Sequence, residues 1–123
     1  MSLKEKILIA DDSEMNQMLL EEILSDKYEY VMAKDGTEAV DILEKNEDID
    51  LVMLDINMPK MDGFGVLEIM NLRHWISEVP VIIISSESDV DFIRRGYDLG
   101  ASDYISRPVS YTHLRAHETL RHL

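Results

Sequence analysis

A chain of 123 residues with 46% hydrophobic side chains is long enough to close one core and too apolar to stay disordered. Its formal net charge of −13 argues against direct contact with nucleic acid or anionic membrane, because such surfaces need surplus Lys and Arg. Cysteine is absent, so disulfides and thiolate metal sites are excluded, and the composition fits a reducing, cytoplasmic setting.

The N-terminus, MSLKEK, lacks the apolar core of a signal peptide, and no apolar run approaches the ~20 residues of a membrane span. Lys6 to Ala10 (KILIA) reads as a first buried strand that runs into Asp11, Asp12 and Ser13. A helix follows, with Met15, Leu19, Leu20, Ile23 and Leu24 as its inner stripe and Glu21 and Glu22 outside. Tyr28 to Ala33 alternates, as a strand near a sheet edge does. Asp35-Gly36 turns the chain into a helix over Thr37 to Lys45, whose inner side is Ala39, Val40, Ile42 and Leu43.

Leu51, Val52, Met53 and Leu54 form an uninterrupted apolar run that ends in Asp55 and then breaks into Pro59, Asp62 and Gly63. That pattern predicts a strand buried on both faces. Asp62 is placed to cap a short helix from Phe64 to about Leu72. Val81 to Ile84, after Pro80, is the most apolar strand and ends in Ser85 and Ser86. A helix over Asp89 to Leu99 is expected to turn Val90, Ile93 and Tyr97 inward and to stop at Gly100. Asp103 to Ser106 is a fifth strand, closed by Arg107-Pro108. Strands alternating with helices through five rounds predict an α/β domain whose parallel sheet is wound on both sides.

Residues 109–123 differ in character. They hold three of the four histidines and one acidic residue, Glu118, against 24 acidic residues in the first 108. Leu114 could open a final helix facing the sheet, yet Glu118 and Arg121 fall where apolar residues should recur. The eleven residues VSYTHLRAHET resemble a translated transposon-type sequencing adapter, so 109–123 is expected to be a non-native tail in place of the last helix.

Parallel strands align their C-terminal ends, where open α/β sheets place their chemistry. Asp11, Asp12, Asp55, Ser85 and Arg107 therefore meet along one edge. Three carboxylates there raise one another's pKa values unless a cation sits among them. Oxygen-only ligation without His or Cys suits Mg²⁺. Two simpler roles stay open: Asp12 or Ser13 as a helix cap, and Arg107 as the ion-pair partner of an aspartate.

Six stretches share order and spacing with one family: DDS at Asp11–Ser13, DGTEA at Asp35–Ala39, LDINMPKMDG at Leu54–Gly63, VIIISS at Val81–Ser86, GASDYI at Gly100–Ile105, and Arg107-Pro108. On them, residues 5–108 resemble the receiver domain of bacterial two-component response regulators. The resemblance implies a flavodoxin-like strand order, 2-1-3-4-5, and makes Asp55 the acceptor of a phosphoryl group from a histidine kinase or phosphotransfer protein. It assigns Mg²⁺ to Asp12, Asp55 and the backbone carbonyl of Asn57, with Asp11 acting largely through water.

The same resemblance puts Ser85 and Tyr104 at switch positions and Asn57 and Glu87 at positions that tune phosphoryl lifetime. It implies a module in a phosphorelay, not an enzyme, that switches an output domain or partner protein. It also implies a cis bond before Pro108. The family usually has Lys where this chain has Arg107. The ISRP ending is similar to receivers that precede cyclic-dinucleotide signalling domains.

Two other functions compete. A pseudo-receiver would bind partners without phosphorylation, with Arg107 as its support. An aspartyl-phosphate phosphatase would also use a strand-end Asp and Mg²⁺. It needs a general-acid Asp two residues on, where this chain has Asn57.

Overall fold

Alternating apolar residues divide the interior into two layers. A computed structural model of the chain describes residues 4–24, 27–45, 48–108 and Leu114. Five strands, β1 (Lys6–Ala10), β2 (Glu29–Ala33), β3 (Leu51–Leu54), β4 (Val81–Ser85) and β5 (Asp103–Ser106), form one sheet in the order β2-β1-β3-β4-β5. Every pairing is parallel. The three central strands are almost wholly buried, whereas β2 and β5, at the edges, are half exposed.

Side chains of period two point to opposite faces. Leu8, Val52, Leu54, Val81 and Ile83 join α2 (Gly36–Lys45) and α3 (Gly63–Leu72) in one layer, against which Phe92 of α4 (Val90–Asp98) and Leu99, the residue that caps it, also pack. Ile7, Ile9, Leu51, Met53, Ile82 and Ile84 face α1 (Glu14–Leu24) and Leu114 in the other. Register brings Ala10 beside Leu54, Leu54 beside Ile83, and Ser85 beside Ser106, which levels the strand ends that carry the polar residues. Asp62 caps α3 as expected, accepting from the Gly65 amide at 2.8 Å. A 3₁₀ turn at Trp75–Ser77 joins α3 to β4 in addition to the expected elements.

Two helices are rotated from the predicted phase. In α1, Met15 and Leu19 are 71% and 50% exposed, and the inward positions are Gln17, Leu20 and Leu24. In α4, Val90 and Tyr97 are 65% and 47% exposed. Its inward line runs through Phe92, Gly96 and Leu99 instead. The cause is packing: a Cβ on Gly96 would lie 2.6 Å from Ile83 Cδ1, so the helix presses its smallest residue onto the sheet. Phe92 then stacks on Phe64 with ring centroids 5.8 Å apart. In α1 the expected Leu20 and Leu24 do face inward, but the apolar stripe misses the inward Gln17 there and the inward Gly96 in α4. The expected foreign tail lies outside the described residues except for Leu114, which is helical and fully buried.

Candidate functional site

Three backbone hydrogen bonds carry the sheet ladder one residue past the strands. The Asp11 amide donates to Ala33 O at 3.0 Å, the Asp55 amide to Ala10 O at 2.9 Å, and the Arg107 amide to Ser85 O at 3.0 Å. Each residue at a strand end is thereby held at the same edge. Asp11 and Asp55 are buried, with 1% and 7% exposure, while Asp12 is exposed. Carboxylate oxygens of Asp11, Asp12 and Asp55 all lie within 4.8 Å of one another.

Arg107 enters from the far side. Its Nη2 donates to Asp11 Oδ2, and its Nη1 stands 3.5 Å from Asp55 Oδ2. The Arg107-Pro108 bond is cis, as expected. Both simpler roles are also filled. Ser13, not Asp12, caps α1, its Oγ accepting from the Asn16 amide at 3.3 Å, and Arg107 does pair with aspartates. Neither role disperses the acidic cluster.

Gly63 keeps the loop after β3 tight. Its amide donates to Ile56 O at 2.8 Å, and a Cβ there would fall 2.4 Å from Asp55 O. Beside this loop, the remaining predicted residues form one connected group. The Glu87 amide donates to Ser85 Oγ at 3.1 Å, and Tyr104 Oη donates to Glu87 O at 2.6 Å. Asn57 Nδ2 reaches Glu87 Oε1 at 3.4 Å. Burial pushes the Tyr104 phenol up, against the pull of Ser85, and the negative charges of Glu87 and Asp55 add to the rise.

Burial, and after it the charge of Asp11, raises Asp55 from an ordinary 3.8 to about 6, against the opposing pull of Arg107. The site therefore holds a desolvated carboxylate that is mostly ionised at neutral pH and takes up its proton as the pH falls through about 6.

The sequence match settles the family. Residues 7–118 match the response regulator receiver domain profile. The chain belongs to the response regulator receiver family. This receiver is 43% identical over 114 residues to a probable transcriptional regulator, ycf27, of Porphyridium aerugineum, covering 92% of the chain and 46% of that protein. It is 36% identical over 110 residues to a probable cyclic di-GMP phosphodiesterase of Vibrio cholerae, covering 89% of the chain and 25% of that protein. The receiver thus spans less than half the length of either relative. Among solved structures it resembles the CheX-CheY-BeF3-Mg complex of Borrelia burgdorferi, with TM-score 0.79 and 32% identity over 89% of this chain and 83% of that one.

The donor set of the receiver fits a hard divalent cation. Three carboxylates converge without His or Cys, two buried and one open to solvent, so a small ion could keep water on its exposed side. One contributor escaped sequence reasoning. Gln17 is buried in α1 and its Nε2 donates to Asp11 O at 2.8 Å and Ala33 O at 3.1 Å, which pins the β1 terminus. The signal was there: a polar residue in line with Leu20 and Leu24 on the inward stripe.

The raised Asp55 value has a consequence for stability. An acid that holds its proton more tightly when folded destabilises the fold as pH rises between its unfolded and folded values, here from 3.8 to about 6. Above that window its cost is constant. In chelator, the Asp55→Asn protein is expected to be more stable than wild type by roughly 1–3 kcal/mol near neutral pH. The gain should shrink toward zero as pH falls to about 4, which urea unfolding at several pH values would measure.

Proposed function

We propose that Asp55 is the phosphoacceptor of this receiver and that its phosphorylation switches an output. The observation that carries this reading is the buried Asp55 carboxylate at the end of the central strand, with Asp11, Asp12 and Arg107 around it. A carboxylate is a weak nucleophile, so transfer depends on positioning and on neutralising charge at the phosphoryl oxygens. In transfer from a histidine kinase or phosphotransfer protein, an Asp55 oxygen bonds to phosphorus as the phosphorus–nitrogen bond of phosphohistidine breaks and the imidazole leaves.

Asp11, Asp12, Asp55 and the Asn57 carbonyl would hold Mg²⁺. When bound, that ion supplies positive charge to the phosphoryl oxygens. Arg107 supplies a second cation from the β5 side. The hydroxyl of Ser85 can turn from the Glu87 amide toward the new oxygens, and Tyr104, bonded to Glu87 O, would respond through that connection. Asn57 and Glu87 meet across the entrance and would govern how long the acyl phosphate survives water.

The phosphatase alternative lacks its acid, since Asn57 stands at that position. The domain acts as a switch, and the effector lies in another part of a longer protein or in a partner. A cyclic-dinucleotide signalling domain is the class that the ISRP ending favours, and the probable cyclic di-GMP phosphodiesterase among the relatives agrees with it. No helix among the described residues is long and apolar enough to cross a membrane, and a cytoplasmic setting suits a partner of histidine kinases.

The test is intact-mass analysis after incubation with acetyl phosphate. One alkali-labile phosphoryl increment is expected with Mg²⁺ and none with chelator. Equal labelling without divalent metal would sink the reading.

A further inference from the structure

We infer that Arg107 is a resident counter-cation for the acidic cluster, and that a divalent metal binds by drawing its guanidinium off Asp11. The inference rests on the metal reading above and adds what the ion must compete with. The two guanidinium nitrogens reach separate carboxylates, Nη2 to Asp11 Oδ2 and Nη1 to within 3.5 Å of Asp55 Oδ2. One cation therefore spans two of the three groups offered to metal. The other oxygen of Asp11 already accepts the Ser13 amide at 2.9 Å. Both oxygens of this buried carboxylate are thus engaged. Among the described residues no other cation lies within ion-pair distance of Asp11 or Asp55.

The side-chain type matters. Arg presents a planar fork with several donors, whereas Lys is one compact charge on a flexible stem. A Lys at 107 could neutralise one carboxylate at a time but could not bridge the pair with two separate nitrogens. The arginine also has room to yield. Its backbone is fixed by the bond to Ser85 O. Arg107 borders a cleft of about 410 Å³ shared with Asn16, Leu19, Leu20, Ile23 and Pro108. Rotation of the side chain alone can release Asp11 and leave the fork near Asp55. Metal occupancy and the position of the cation on β5 are then two sides of one exchange.

The experiment is titration with Mn²⁺, standing in for Mg²⁺, followed by the loss of the free-ion signal in electron paramagnetic resonance. Wild type is compared with Arg107→Lys, Arg107→Gln and Asp12→Asn. Arg107→Gln, which removes the cation, is expected to bind roughly tenfold more tightly, the scale of one lost charge-assisted hydrogen bond. Arg107→Lys, which keeps one charge but loses the bridge, is expected to bind more tightly than wild type by a smaller factor. Two variants are used so that one poorly folded protein does not decide the matter. Unchanged or weaker binding in every folded Arg107 variant, with Asp12→Asn weakened, would overturn the counter-cation and leave the metal site standing. Binding by Asp12→Asn equal to wild type would instead overturn the metal site itself.

Discussion

The Asp55→Asn protein will take up no phosphoryl group under conditions that label wild type fully. The amide is nearly the same size, so the loop and sheet should hold, but an amide has no anionic oxygen with which to attack phosphorus. The other acidic residues are poor substitutes. Asp11 has one oxygen on Arg107 and the other on the Ser13 amide, and Asp12 is the exposed member of the cluster. Only Asp55 combines a place at the end of the central strand with burial against a facing cation. Intact mass after acetyl phosphate treatment reads the result directly. A phosphoryl increment on the variant would move the acceptor elsewhere.

The largest loss of stability should come from Ile83→Ala. Ile83 is fully buried in β4, sits beside Leu54 and Tyr104 in the sheet, and receives Gly96 of α4 on its Cδ1. Removing those carbons leaves a cavity under a helix whose backbone is already at its closest approach. Such truncations cost ~2–5 kcal/mol, against a total of about 5–15 kcal/mol for a domain. A urea midpoint lower by roughly 1–2 M is expected, given slopes of about 1–3 kcal/mol per molar. A shift below about a quarter of that would mean that α4 collapses to fill the space.

Much of the architecture was legible because short apolar runs bounded by turn residues fit strands buried on both faces. Leu51–Leu54 and Val81–Ile84 gave their own positions, and the polar residues that end them gave the site. The family landmarks then supplied the strand order. Helix rotation was less legible. In α1 and α4 the apolar residues outnumber the inward places, and Met15, Leu19, Val90 and Tyr97, which an apolar stripe points inward, are exposed. What turned the helices were Gln17, which satisfies two buried carbonyls, and Gly96, which lets the backbone close on Ile83. Periodicity put Gln17 in line with Leu20 and Leu24, but what a polar or absent side chain contacts depends on what stands opposite. The forked grip of Arg107 on two aspartates belongs to the same class: the sequence placed the charge, and only the geometry revealed that it spans both.

Leu114 bears on how this receiver can be spliced to another protein. It packs in the layer with Ile7, Ile9, Met53, Ile82 and Ile84, beside Leu20 and Leu24 of α1. A fusion joint placed straight after Pro108, where the recognisable motifs stop, would strip that layer of a fully buried side chain. The joint would uncover part of that apolar layer, and exposed apolar patches favour association. Modular engineering with this domain should therefore carry the chain past Leu114, or supply a replacement helix with a large aliphatic residue at that place.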